Sequence, residues 1–213
     1  MSSQRAMVWS LETPRLKIAP YHPLDAQRYV EIVARNRQHL SPWMPFATFE
    51  PDMDLYVGWF EDFQRRALGG DYSMSLRTHD GRIVGGGGVH PSVGAMGREV
   101  GYWVTQDVCG HGFAGEAVAA FCHLAFVGQQ GVDRVELRID PDNAPSVRVA
   151  QKAGFELEGR LRRRIPFPGQ PPRDALLYTL FAEDWPQSPL AAVEVKAFDA
   201  AGRLVESETQ EAL

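Results

Sequence analysis

The chain has 213 residues, 44% hydrophobic and 23% charged, with 20 glycines and 15 prolines, a composition expected of one globular domain or of a domain with an appendage. Its formal charge of −5 argues against a basic face for nucleic acid, and two cysteines, Cys109 and Cys122, cannot build a disulfide framework. The segment MSSQRAMVWSLETPRL lacks the apolar core of a signal peptide, and no window approaches a membrane span; the six histidines fall in no metal-ligand spacing. The expectation is a cytoplasmic protein with no metal and no membrane segment.

Residues 11–20, LETPRLKIAP, alternate apolar and polar positions and predict a first strand ending at Pro20. Tyr29, Ile32 and Val33 at helical spacing predict a helix over about 24–36. Prolines then exclude a regular element from HLSPWMPFATFEP, which leaves Trp43, Met44, Phe46 and Phe49 on a loop. A second helix is expected over about 52–68, with Leu55, Trp59, Phe60 and Phe63 on one stripe and Gly69-Gly70 as its stop. Residues 72–77 and 82–90 read as a hairpin about Asp80-Gly81, and residues 97–105 as a further strand. A helix over 114–127, a strand over 132–139 and a helix opened by Asn143 and Pro145 follow. Two closing strands, 155–161 and 174–181, are expected around a proline-rich link, IPFPGQPPR. Residues 187–213 read as a C-terminal extension, either a hairpin around Ala200-Ala201-Gly202 or a flexible tail; residues 1–186 are the expected domain. With one clear strand-loop-helix unit, the class is α+β with a mixed sheet.

Gly110-His111-Gly112-Phe113-Ala114-Gly115 enters a helix, so its backbone can approach an anion at the positive end of a helix dipole. Two phosphate-binding readings fit, the turn of a dinucleotide-binding oxidoreductase and the pyrophosphate loop of an acyl-CoA-dependent acyltransferase. Three features oppose the first: the motif lies past the midpoint, Gln106-Asp107-Val108-Cys109 separates it from its strand, and Asp133 precedes the next strand rather than ending it. Gly85-Gly86-Gly87-Gly88 lacks the Lys-Ser/Thr of a nucleotide-hydrolysing loop and marks a bulge or a close approach instead. No G-x-S-x-G elbow appears.

Five blocks together, LETPRL at 11–16, LSPWMPF at 40–46, EVGYWV at 99–104, GHGFAGEAV at 110–118 and DPDNAPSVRVAQKAGF at 140–155, resemble the GNAT N-acetyltransferases, in particular their RimJ/RimL-like branch. The resemblance implies a central twisted mixed sheet flanked by helices, with acyl-CoA bound at a splay between two central strands. It implies an acetyl-CoA-dependent N-acetyltransferase that moves an acetyl group to a primary amine, a protein N-terminus or a small amine, by direct attack in a ternary complex. A homodimer is the family expectation. A non-catalytic acyl-CoA-binding or regulatory module is the alternative.

By the same resemblance, the backbone of Gly110, His111, Gly112, Phe113, Ala114, Gly115 and Glu116 holds the pyrophosphate, while Trp103, Val104 and Thr105 line the pantetheine. Asn143, Ser146, Arg148 and Lys152 would also meet the cofactor, with Ser146 a candidate proton donor to the CoA thiolate, or only a capping residue. Glu99 is the candidate base for the amine, or a surface strand residue; Trp43, Met44, Phe46 and His90 are candidate walls of the acceptor pocket, or packing. Cys109 departs from the pattern, since the family loop usually opens with Gln or Arg.

Overall fold

The structure, a computed structural model, describes residues 7–205. In chain order its main elements are β1 (Ser10–Glu12), β2 (Leu16–Pro20), α1 (Ala26–Leu40), α2 (Met53–Ala67), β3 (Tyr72–Thr78), β4 (Ile83–His90) and β5 (Gly97–Val104). They continue with α3 (Phe113–Phe126), β6 (Arg134–Ile139), α4 (Ala144–Lys152), β7 (Glu156–Phe167), β8 (Gln170–Phe181) and β9 (Lys196–Phe198). The strands form one sheet in the order β7-β8-β6-β5-β4-β3-β2-β1-β9. Every pairing is antiparallel except β5 with β6. That order excludes the doubly wound sheet of the dinucleotide reading, which requires a run of parallel strands.

Two apolar clusters fill the two faces. Phe121, Leu124, Val135 and Leu137 belong to the cluster that packs α3 and α4 on the sheet. Tyr21, Tyr29, Phe60 and Trp103 belong to the cluster under α1 and α2. The glycine run of β4 lies between them. A Cβ on Gly87 would press into the Phe121 ring, and one on Gly86 would collide with the Tyr21 hydroxyl. Close approach from both layers is why these positions carry no side chain, and the run also begins at a bulge, since Leu76 pairs with Gly85 but Arg77 with Ile83.

The structure corrects several expected boundaries. The first helix runs to Leu40 rather than ending near 36, and the loop after it holds a short 3-10 turn at Pro45–Thr48. Residues 11–20 are two strands, because Pro14 has no N–H to give a ladder and Thr13 closes a turn on Leu16. The Thr13 N–H donates to the Leu16 carbonyl at 2.9 Å, and its hydroxyl accepts from the Leu16 N–H at 3.0 Å. The link over 165–173 is strand on both sides of a turn at Pro168-Gly169. Prolines are tolerated there because β7 is an edge strand and β6 stops pairing with β8 at Ile139↔Leu176, short of Pro171 and Pro172.

Residues 187–205 lie against the sheet: Leu190 is buried, β9 pairs with β1, and a bridge joins Phe198 to Leu204. Asp199 holds that turn by accepting the N–H groups of Ala201 and Arg203, each at 2.9 Å. The rest of the expected extension, 206–213, lies outside the described residues.

The site is positioned by the one parallel pair. β5 and β6 match at Gly97↔Arg134, Arg98↔Val135 and Glu99↔Glu136, and there the ladder ends. β5 nevertheless continues to Val104 and β6 to Ile139, so the two strands separate and open a gap in mid-sheet.

Candidate active site

Two clefts meet at this gap. One, of about 390 Å³, runs between the glycine loop and α4. Val104, Cys109, Gly110, Gly112, Gly115, Arg148 and Lys152 lie along it. The other, of about 360 Å³, lies between the β5/β6 opening, the α1–α2 loop and the tip of the β7–β8 hairpin. Glu99, Arg138, Asp140, Arg164 and Phe167 lie along that one. Trp43, Met44, Tyr102, Asn143 and Ser146 line both.

The first cleft is built from backbone. Gly110 and Gly112 take φ of +80° and +84°, values that L side chains rarely adopt, and Gly112 stands at the N-cap of α3 with no side-chain cap. The first helical bond is from the Glu116 N–H to the Gly112 carbonyl at 3.1 Å, so the N–H groups of Phe113, Ala114 and Gly115 have no helical acceptor. An added Cβ at Gly110 or Gly115 meets no atom within 4 Å, so both face open space. Free donors at a helix N-terminus, with Arg148 and Lys152 one helical turn apart across the cleft, suit a pyrophosphate. The residues present therefore fit CoA.

The expected cradle is narrower than the sequence implied. The His111 N–H donates to the Val108 carbonyl and the Glu116 N–H is spent inside the helix. Glu116 works from behind. Its buried carboxylate accepts from the Thr13 hydroxyl at 2.5 Å, the Arg15 N–H at 2.8 Å and Arg15 Nε at 2.5 Å. Arg15 Nη1 also donates to the His111 carbonyl at 2.7 Å and its guanidinium lies over the Phe113 ring. The corner between β1 and β2 thus braces the loop, a role for Thr13 and Arg15 that spacing alone does not reveal.

Strand alternation sorts the other cofactor candidates. The Thr105 N–H donates to Val84 at 2.8 Å, so odd-numbered residues at this end of β5 face β4. The N–H groups of Tyr102 and Val104 face the opening instead. Thr105 does not line the cofactor cleft; Trp103 does, although its ring turns into the core beneath α1 and α2 beside Tyr29 and Phe46. Cys109 lies in the cofactor cleft only, its Sγ 3.6 Å from His39 Nε2, with burial pushing its thiol pKa up.

At the junction, Tyr102 Oη and Ser146 Oγ are 2.9 Å apart. Burial pushes the Tyr102 phenol up to about 12, with the Ser146 hydrogen bond opposing, so it keeps its proton at neutral pH. Asn143 accepts the Ser146 N–H at 3.3 Å and caps α4, which holds Ser146 in place. Sequence spacing singled out Ser146 but not its partner; Tyr102 sat unassigned within the EVGYWV block.

Glu99 lies on the acceptor side, accepting from the Ser92 hydroxyl at 2.6 Å, with Arg138 Nη1 3.7 Å away. Arg138 also approaches Glu136 at 3.5 Å, and Arg134 Nε holds the same carboxylate at 2.9 Å. Charged residues alternating through a central strand such as β6 are the sequence signal that could have flagged this pocket, since central strands are ordinarily apolar. Asp140 adds a second carboxylate, tied to Arg173 Nη1 at 3.2 Å. Arg173 also donates to the Pro42 carbonyl at 2.7 Å and lies over the Phe167 ring, which fastens the hairpin tip to the loop bearing Trp43 and Met44. Of the expected pocket walls, Trp43 and Met44 are there; Phe46 packs on Trp103 and lines neither cleft. His90 stands across from Glu99 in the β4–β5 ladder, but its Nδ1 is engaged by Asp71 at 2.6 Å and it lines neither cleft. Against the desolvation that would raise it, His90 and Arg66 hold the Asp71 carboxyl below its usual range.

A mixed sheet opened at its parallel pair, with an uncapped helix N-terminus beside the opening, defines an acyltransferase that draws its acyl group from a CoA thioester. Residues 15–156 match the family model for the acetyltransferase (GNAT) domain, and the chain belongs to that family. It is an acetyl-CoA-dependent N-acetyltransferase. It is 27% identical over 182 residues to the ribosomal protein uS5-alanine N-acetyltransferase of Escherichia coli, covering 82% of this chain and 92% of that protein. Among solved structures it resembles Mycobacterium smegmatis RimJ in complex with CoA-disulfide, at 29% identity and a TM-score of 0.73, over 86% of this chain and 91% of that one. The microcin C7 self-immunity acetyltransferase MccE, solved with acetyl-CoA and AMP, shares the fold at 16% identity and a TM-score of 0.71, over 79% of this chain and 93% of that one. Among the described residues no helix is long and apolar enough to cross a membrane, and no group of His, Cys, Asp and Glu could hold a metal ion.

Proposed function

We propose that this acetyltransferase acts on the α-amine of a protein N-terminus, by direct attack of the amine on the bound thioester. The observation that carries the reading is the meeting of the two clefts at Tyr102 and Ser146, with Glu99 on the acceptor side alone. The similarity to a ribosomal-protein alanine acetyltransferase supports a protein acceptor.

Acetyl-CoA supplies an activated carbonyl and a thiolate leaving group. The N–H groups of Phe113 to Gly115 hold the pyrophosphate, aided by Arg148 and Lys152. The N–H groups of Tyr102 and Val104 face the opening and orient the acyl arm. Glu99 accepts the proton of the amine. Ser146 and Tyr102 return a proton to the departing sulfur, the phenol staying protonated for that purpose. Cys109 is outside the acceptor pocket and its raised pKa makes it a poor nucleophile, so no acyl-enzyme is required.

The test is CoA-thiol release with N-terminal peptides and with a panel of small amines. Peptides turn over, and Glu99→Gln lowers kcat/KM by about 10²-fold. Turnover of small amines with no peptide accepted would refute the acceptor. A burst of acetylated protein abolished by alkylating Cys109 would refute direct attack.

A further inference from the structure

The loop at the mouth of the acceptor pocket carries a charge pattern that the transfer reaction does not use. Between Gly159 and Arg173 there are five arginines, at 160, 162, 163, 164 and 173, and no acid, in a chain whose formal charge is −5. Two of them are spent structurally, Arg160 on Asp174 at 2.9 Å and Arg173 on Asp140. Arg162, Arg163 and Arg164 are exposed and form no salt bridge within 4.0 Å among the described residues. After the Arg163 N–H and Arg160, Arg162 also lies near enough to Asp174 to help hold its carboxyl below the usual range.

The backbone is distorted at these three residues. Between the pairs Leu161↔Ala175 and Ile165↔Arg173, β7 carries two more residues than β8, so Arg162, Arg163 and Arg164 form a bulge. In a regular strand consecutive side chains would point to opposite faces, and a bulge re-aims them. Arg163 takes φ of +54°, the single positive φ outside glycine among the described residues. For a long side chain that conformation is strained, and such strain gathers where a site needs it. Asp174 holds the bulge closed, accepting the Arg163 N–H at 2.9 Å on one oxygen and Arg160 Nε on the other. At its far end Arg164 lines the acceptor pocket with Ile165, Pro166 and Phe167.

The pocket therefore holds two carboxylates, Glu99 with Arg138 3.7 Å away and Asp140 with Arg173 3.2 Å away, while the arginines of the bulge at its rim form no salt bridge among the described residues. A simple cationic amine would be drawn to the first and repelled by the second. Both are satisfied by a chain with an amine at one end and carboxylates a few residues behind it.

We propose that the bulge of Arg162, Arg163 and Arg164 is a specificity surface for acidic side chains in the residues that follow the acceptor's amine, so that the preferred acceptor is an acidic N-terminal peptide. This rests on the protein N-terminal reading above and adds which N-termini are chosen. Arginine suits the role because its guanidinium stays charged and pairs with carboxylates in two-pronged geometry.

The experiment compares peptides sharing their first two residues and differing in positions three to six, as glutamate, glutamine or lysine. The readouts are kcat/KM from CoA-thiol release and, separately, binding of the same peptides by fluorescence anisotropy. At low salt the glutamate peptide is favoured over the glutamine peptide by about tenfold, and the advantage shrinks as ionic strength rises. In the combined variant Arg162→Glu, Arg163→Glu, Arg164→Glu the order inverts and the lysine peptide leads. Inversion also guards against a folding defect, which would lower all three peptides together. Equal kcat/KM for the three peptides, or a glutamate advantage that survives the variant, overturns the proposal. Tight binding of an RNA oligonucleotide that the variant abolishes, without any peptide preference, also overturns it and assigns the bulge to nucleic acid. Acid-selective binding without acetylation would leave the surface standing and refute the reaction assigned to it.

Discussion

The two clefts that meet at Tyr102 are made of different material. The cofactor side is mostly main chain: glycines with positive φ, an uncapped helix end, and strand N–H groups turned to a gap between β5 and β6. The acceptor side is mostly side chain: Glu99, Arg138 and Asp140 from the sheet, Trp43 and Met44 from one loop, Arg164 and Phe167 from a hairpin. In the proposed reaction, backbone holds what members of such a family share, the CoA thioester, and side chains from strands and loops decide what differs, the amine.

Substitutions should separate the two sides. The largest effect is expected where they touch. Tyr102→Phe lowers kcat by about 10²–10³-fold with little change in either KM, measured by steady-state kinetics. An equal fall in kcat/KM for the acceptor alone, with kcat intact, would reassign Tyr102 to the acceptor pocket. The same residue makes a pH prediction. Burial raises the folded pKa from 10 to about 12, so this contribution to stability is full below pH 10 and is lost as pH climbs toward 12. Chemical denaturation across that window should show Tyr102→Phe reducing the decline; Tyr21, Tyr29, Tyr56, Tyr72 and Cys122, all raised by burial, leave a remainder.

Glu116→Ala comes next, at about 3 kcal/mol of stability in a denaturant melt, because Arg15 and the Thr13 hydroxyl lose a buried carboxylate partner. Acetyl-CoA binding should weaken with it. Gly112→Ala is smaller, about 1–2 kcal/mol, since a Cβ at φ +84° is strained and would lie 3.2 Å from Arg15 Nη2. Its signature is a rise of about tenfold in the KM for acetyl-CoA with the acceptor KM unmoved. A matching rise in both would erase the distinction between main-chain and side-chain sides. Cys109→Ser is the smallest, a change of less than about twofold in any parameter, because a hydroxyl can keep the thiol's contacts with His39 Nε2 and the Thr105 carbonyl.

The same contrast explains what could be read from the sequence. The glycine loop, the Asn143 cap and the helices of 26–40 and 53–67 are set by residues within a turn or two of one another, and pattern reveals them. The tip of β7 and β8 was missed because its prolines are permitted only by its place at a sheet edge, which depends on where β6 stops. His90 and Phe46 carried suitable chemistry, yet Asp71 and Trp103 had already claimed them. Tyr102 and Ser146 lie 44 positions apart and become a pair only once β5 and β6 have diverged.

The contact of Thr13 and Arg15 with Glu116 joins residues more than 100 positions apart. Closing so long a loop is entropically slow and comes late among folding events. During synthesis from the N-terminus, the first half of the chain must wait for the arrival of Glu116 before its turn has anything to grip. A nascent chain that has made its first five strands still lacks a braced anion cradle, so affinity for acetyl-CoA would mark completed folding.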